Sequence, residues 1–207
     1  MKELLGLAEK LLGWPKTDAA LKGRDLIHKK TGKRQPWDEL LSRVGRSIIG
    51  ETVNRDDDHA PMTAFAAQVA EVFVDRETGE VTLRSLTTAH DTGAIMNPVG
   101  HQGQIDGGVI QGIGYGLIEY LPVEEGRVGT AHFGEYKIPT AKDIPELKTV
   151  LVKGEDGVGP YKTKGIGENP ISPVAPAIAN AIEDAVGVRI RDLPITAEKI
   201  YAALHGR

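Results

Sequence analysis

The apolar positions of this chain fall into a few separate periods, and each predicts an element. Leu4, Leu5, Ala8, Leu11 and Leu12 recur at helical spacing before Gly13 and Pro15, so residues 3–12 are expected to form a short helix with one apolar face. A second helical pattern runs through Trp37, Leu40, Leu41 and Val44 behind Pro36, whose missing N–H costs nothing at a helix start. Residues 16–34 between them are polar and rich in cations and read as exposed chain. Lys29, Lys30, Lys33 and Arg34 could form an anion- or partner-binding patch, but a solvated surface is the simpler reading. Residues 66–75 and 80–88 are strand-like runs joined by the glycine-ended turn Asp75-Arg76-Glu77-Thr78-Gly79, which predicts a hairpin.

A smaller strand pair is expected where 120–123 and 128–133 flank Glu124-Glu125-Gly126-Arg127, and a further strand over 147–152. Ser172, as cap, and Pro173 open an apolar run through Val174, Ala177, Ile178, Ala181 and Ile182 that stops before Gly187. Thr196 caps a last amphipathic helix carrying Ile200, Ala203 and Leu204. Strands and helices mix without strict alternation, repeat or long linker. The pattern fits an α+β fold of β-hairpins and helices, in a single unit over residues 1–207.

Composition narrows the function. At 207 residues, 40% hydrophobic and 26% charged, the chain can bury a core, which excludes disordered and collagen-like classes. Lysine and arginine number 25 against 29 acids, a net charge of -4, so the overall basic field of a nucleic-acid binder is missing. No apolar stretch approaches the roughly 18 residues of a membrane span, and the start shows no small-residue cleavage site, so no membrane association and a cytoplasmic location are expected. With no cysteine, the chain cannot supply disulfides, a thiolate zinc site or the ligands of an ordinary iron–sulfur cluster. Any redox relay must sit on another chain.

Two runs carry the candidate chemistry. Between Asn97 and Tyr120, Gly100, Gly103, Gly107, Gly108, Gly112, Gly114 and Gly116 interrupt a helix-length segment, and each interior glycine costs a helix roughly 0.5–1 kcal/mol relative to alanine. Gly108, Gly112 and Gly116 recur every four residues, which bares one face to another backbone or a flat ligand. Gln102, Gln104, Asp106 and Gln111 stand beside them, and amides that both donate and accept can read the edge of a heterocycle such as a pterin. A tightly packed core helix explains the same glycines. In Lys164-Gly165-Ile166-Gly167-Glu168-Asn169-Pro170, Glu168 is wedged between a flexible Gly-x-Gly and a proline that restricts its neighbour. A carboxylate held in such a loop over a cofactor can be a general base, or it can be a plain surface turn.

Other readings fail or stay weak. Gly112-Ile113-Gly114-Tyr115-Gly116 is not GxGxxG, and Lys162 and Lys164 lack P-loop spacing. No Gly-x-Ser-x-Gly elbow occurs. His90, His101 and His132 show no metal-binding spacing and read as structural, and the run Asp56-Asp57-Asp58-His59 reads as an exposed loop rather than a cation site.

Asp91-Thr92-Gly93, Asn97-Pro98, Gly103-Gln104-Ile105-Asp106-Gly107-Gly108, Gln111-Gly112-Ile113-Gly114, Tyr136-Lys137-Ile138-Pro139 and Lys164-Gly165-Ile166-Gly167-Glu168 follow the hairpin in that order. Over about residues 36–207 the chain thereby resembles the carboxy-terminal part of the molybdopterin-binding subunit of the xanthine dehydrogenase and aldehyde oxidase family. The resemblance implies a molybdenum hydroxylase segment that oxidises an aldehyde or N-heterocycle with water. In that family the glutamate corresponding to Glu168 is the base that takes a proton from a molybdenum-bound hydroxide. The glutamine corresponding to Gln104 touches the molybdenum cofactor, and Gly103, Gly107, Gly165 and Gly167 are its expected neighbours. The metal is held by the pterin dithiolene, so no protein metal ligand is expected.

Family subunits are several times longer, so the expected partners are the rest of the molybdopterin-binding subunit, an iron–sulfur subunit and an FAD subunit. Asp91 and Asp106 are the nearest other carboxylates should Glu168 not be the base. The rival expectation, from a different class, is a non-catalytic remnant, fragment or assembly subunit that keeps the fold and binds no cofactor.

Overall fold

A computed structural model describes residues 1–45, 47–51, 63–130, 132–159 and 161–206. The polar run 56–59 lies outside them. Its contacts divide the chain into two compact units, Met1–Asp58 and His59–Arg207, where the sequence pattern had suggested one. The physical reason is that the apolar faces gather into two separate clusters rather than one.

In the first unit, α1 (Lys2–Leu12) ends at Gly13, whose φ of 67° lets its amide turn back to Ala8 O. The segment expected as exposed chain instead forms three antiparallel strands, β1 (Ala19–Lys22), β2 (Asp25–His28) and β3 (Arg34–Pro36). Strands this short offer too few apolar positions for a period to show. Their inward residues Ala19 and Leu26 are buried with Leu7, Ala8 and Leu40 of the two helices. Lys30 pairs with Asp18 at 2.7 Å, Arg34 lies 3.7 Å from Asp25, and Lys29 donates to Thr17 O, as a solvated, locally neutralised surface would. α2 (Trp37–Val44) follows, with Pro36 at its N-cap.

The second unit is built on a three-stranded sheet. β4 (Ala66–Val74) and β5 (Val81–Asp91) form the expected hairpin, in register from Val74 opposite Val81 to Ala66 opposite His90, with a bulge between Glu71 and Val72. A long crossover then carries α3 (Pro98–Ile113), a π-helical turn (Gly114–Ile118) and the small hairpin β6 (Val123–Glu124) and β7 (Arg127–Val128). β8 (Glu146–Val152) returns parallel to β5, as such a crossover permits. The small hairpin pairs Val123 with Val128 and Glu124 with Arg127 around a two-residue turn at Glu125 and Gly126, at φ 47° and 79°, and its strands are shorter than expected.

α4 (Val174–Val186) packs on β4 and α3 on β8, burying Leu86, Ile105, Val109, Ile113, Val174, Ile178 and Ile182 on one face of the sheet. Pro173, not Ser172, occupies the N-cap of α4, and no side chain caps it. α5 (Ala197–His205) adds Ile200 to the core, and the Thr196 hydroxyl accepts from Lys199 N as expected of its cap.

Candidate cofactor-binding site

The glycine-rich segment is helical because protein packs against it. A Cβ at Gly108 would lie 3.0 Å from Pro170 Cβ, at Gly112 2.5 Å from Val174 Cγ2, and at Gly116 3.4 Å from Ala175 Cβ. The four-residue glycine face therefore receives the polypeptide that opens α4, and it takes no ligand. A second set behaves differently. Gly103 and Gly107 are exposed, and a Cβ on either would meet nothing within 4 Å. Gln102, Gln104 and Gln111 are exposed with them. Asp106 is withdrawn from this array, because its carboxylate accepts a bond from the Thr149 hydroxyl on β8.

The Glu168 loop is an arch between two anchors. On its first side, Lys164 N donates to Thr92 O, Ala94 N and Gly157 N donate to Lys162 O, and Gly93 bridges Thr163, so the backbone before Gly165 is fixed to the end of β5. On its far side, Gln68 Nε2 donates to Pro170 O at 2.9 Å and the Tyr115 hydroxyl donates to Ile171 O at 2.9 Å. Asn169 Nδ2 closes the arch by donating to Gly165 O at 3.1 Å. Gly165, Gly167 and Glu168 are all exposed on it, beside an open cleft of about 790 Å³ lined by Thr63, Gly165, Asn169, Ser172 and Pro176.

Pro170 seats this arch against Gly108, one helical turn from Gln104. The structure thus brings Glu168 and the exposed Gln104 face of α3 to one region, although no hydrogen bond joins the two side chains among the described residues. A second cleft of about 460 Å³, lined by Glu80, Ile113, Lys142, Ile195 and Glu198, contains none of the expected residues.

The two alternative carboxylates are committed elsewhere. Asp91 is ion-paired with Lys164 at 2.5 Å, and this bond holds its carboxyl below the usual carboxylate range. Asp106 is bonded to Thr149. His90 is buried beside the Thr88 hydroxyl at 2.6 Å, and burial lowers its pKa from 6.5. His132 is exposed and lies 3.8 Å from Glu135. No group of three or more histidine, aspartate or glutamate side chains among the described residues could hold a metal.

Sequence reasoning missed Gln68 and Tyr115. Gln68 had a legible signal, since it is a polar residue at an inward position of an alternating strand. Tyr115 had none, because the π-helical turn that aims it breaks helical periodicity.

The unit thus presents an exposed, amide-bearing and glycine-bared helix face, with a tethered carboxylate loop on the same side of the fold. The chain belongs to the molybdopterin cofactor-binding domain family, whose profile matches residues 1–145. The match reaches Met1, beyond the expected start near residue 36, and ends before the Glu168 loop.

Three relatives give the scale of the likeness. One of the subunits of nicotinate dehydrogenase from Pseudomonas putida is 43% identical over 143 residues, which is 69% of this chain and 12% of that protein. A probable hypoxanthine oxidase of Escherichia coli is 33% identical across 98% of this chain and 22% of its own length. The solved aldehyde oxidoreductase of Desulfovibrio gigas superposes with a TM-score of 0.60 at 36% identity, over 69% of this chain and 15% of that one. The chain therefore spans well under a third of the length of the relatives it matches. No described helix is long and apolar enough to cross a membrane.

Proposed function

We propose that this chain forms the carboxylate-bearing wall of a molybdenum hydroxylase site that oxidises an aldehyde or N-heterocycle, completed by other polypeptide. The observation that carries the reading is the Glu168 arch, tethered on both sides, exposed at its crest and seated one helical turn from Gln104.

The residues fit a flat heterocyclic cofactor. Gly103 and Gly107 present bare backbone with nothing within 4 Å, Gln104 and Gln111 offer exposed amide edges, and the buried Nδ1 of His101 has no partner among the described residues. Gln104, Gly103 and Gly107 would hold the group from this side, and Gly165 and Gly167 would let it approach the arch. When bound, the molybdenum–pterin group would supply the acceptor for the hydride, two electrons and one proton, that leaves the substrate carbon as its C–H bond breaks. Glu168 takes the proton released as a water-derived oxygen bonds to the substrate carbon. Asn169 and the Gly165 carbonyl fix the crest on which that carboxylate stands. With no cysteine in the chain, electrons leave through iron–sulfur and flavin groups on partner chains.

Co-expression with the polypeptides encoded beside it, followed by metal analysis of the purified complex, tests the reading. Molybdenum retained in a fixed ratio to this chain is expected. A metal-free chain that joins no complex would overturn the proposal in favour of a non-catalytic remnant.

A further inference from the structure

The first anchor of the arch contains an ion pair that the proposed chemistry does not use. Lys164 Nζ lies 2.5 Å from Asp91 Oδ2 and also donates to Thr63 O at 2.9 Å; the two side chains are only 3% and 11% exposed. The carboxylate of Asp91 further accepts the amide of Gly93. Its cage is built of glycines. A side chain at Gly154 would overlap the Asp91 carboxylate, one at Gly157 would overlap Thr163 O, and one at Gly93, where φ is 62°, would stand 2.6 Å from Lys162 O. Three chain segments therefore converge on one sealed pair: the entry to β4 at Thr63, the end of β5, and the loop after β8.

Exposed ion pairs contribute little, but removing one partner of a sealed pair leaves an uncompensated charge, so such a pair fixes geometry strongly. The geometry fixed here is the take-off of the arch, because Lys164 is the last residue tied down before Gly165, Ile166 and Gly167. Those glycines have no packing of their own, since a Cβ at either would meet nothing within 4 Å. Without a fixed root, the restraints left on Glu168 among the described residues are those of its far side: Ile171 N to Glu168 O, Asn169 to Gly165 O and Gln68 to Pro170 O.

We propose that Lys164 and Asp91 are a positioning pair whose sealed contact sets the direction in which the Gly165–Asn169 arch leaves the sheet, and so holds the Glu168 carboxylate in place. The inference rests on the reading of Glu168 as proton acceptor for its functional consequence, but not for its structural one. The test uses Asp91→Asn and Lys164→Gln in the full chain and in the assembled enzyme. Exchange of the residue-164 amide, which donates to Thr92 O, and of the Ile171 amide, which donates to Glu168 O, should accelerate at least tenfold in either variant, while α3 and α4 amides keep their protection. In the assembled enzyme, kcat should fall roughly 10- to 100-fold with KM and molybdenum content unchanged.

Exchange of the residue-164 and Ile171 amides equal to wild type overturns the proposal. So does loss of protection across α3 and α4 in both variants, which would assign the pair to global stability. Accelerated exchange in the arch without any change in kcat would leave the positioning intact and instead remove Glu168 from the chemistry, so the two failures are distinguishable.

Discussion

Glu168 and His90 show how differently single residues reveal themselves. The local sequence around Glu168 gives its loop directly, since Gly-x-Gly before and Asn-Pro after exclude a helix there. What the sequence could not show is that the arch is tied at both feet by residues far away in the chain, such as Gln68, 102 positions from Pro170. His90 read as structural in the sequence, for want of any metal-binding spacing. Its place on the inward face of β5, beside Thr88 and 2% exposed, decides for structure.

A prediction about pH follows at this scale. Burial lowers the folded-state pKa of His90, so the folded chain resists the proton that the unfolded chain accepts below about 6.5. Stability contributed by the neutral ring is complete above that pH and is lost as pH falls toward the folded value. Thermal unfolding followed from pH 8 to 5.5 should therefore show a falling Tm in wild type and a flatter profile in His90→Gln. Identical slopes in the two proteins would contradict this account. Asp91 works in a lower window, because its pairing with Lys164 is lost only as pH falls below the ordinary carboxylate range.

Among the elements, α3 separates two uses of glycine that look the same in the sequence. Gly112 is filled space: a methyl there would press on Val174 at 2.5 Å, and such overpacking costs about 1–3 kcal/mol, more than helix propensity returns. Gly107 is open space, and a methyl there should stabilise the isolated helix by about 0.5–1 kcal/mol. Chemical denaturation should thus find Gly112→Ala less stable than wild type and Gly107→Ala more stable. If the bare face exists for the cofactor, Gly107→Ala should also lower the molybdenum retained by the assembled complex despite its greater stability. Gly107→Ala that is stabilised and retains full molybdenum would mean that this face touches no cofactor.

The sequence read most elements well where periods were long, as in the β4–β5 hairpin, β8, α4 and α5. It failed over residues 16–34, where strands of three or four residues leave no alternation to detect. The every-fourth-residue glycines were legible as a close approach, but whether chain or ligand approached was a tertiary fact.

On the scale of the whole molecule, composition limited the answer more than any motif did. A chain with no cysteine has no ligands for an ordinary iron–sulfur cluster, and it spans 12% and 22% of the length of two of its relatives. The boundary between the two compact units falls within the polar run Asp56-Asp57-Asp58-His59, too short a run to have read as a linker. In the proposed reading, what this chain contributes is geometry: a helix face to lie against and a carboxylate held beside it.

The role of that carboxylate is the central claim, and turnover of the assembled enzyme carrying Glu168→Gln tests it most directly. The substitution keeps size and hydrogen-bonding capacity but cannot accept a proton. With molybdenum content and fold retained, turnover should fall by roughly 10²–10⁴. A Glu168→Gln enzyme with full molybdenum and wild-type turnover would contradict the account.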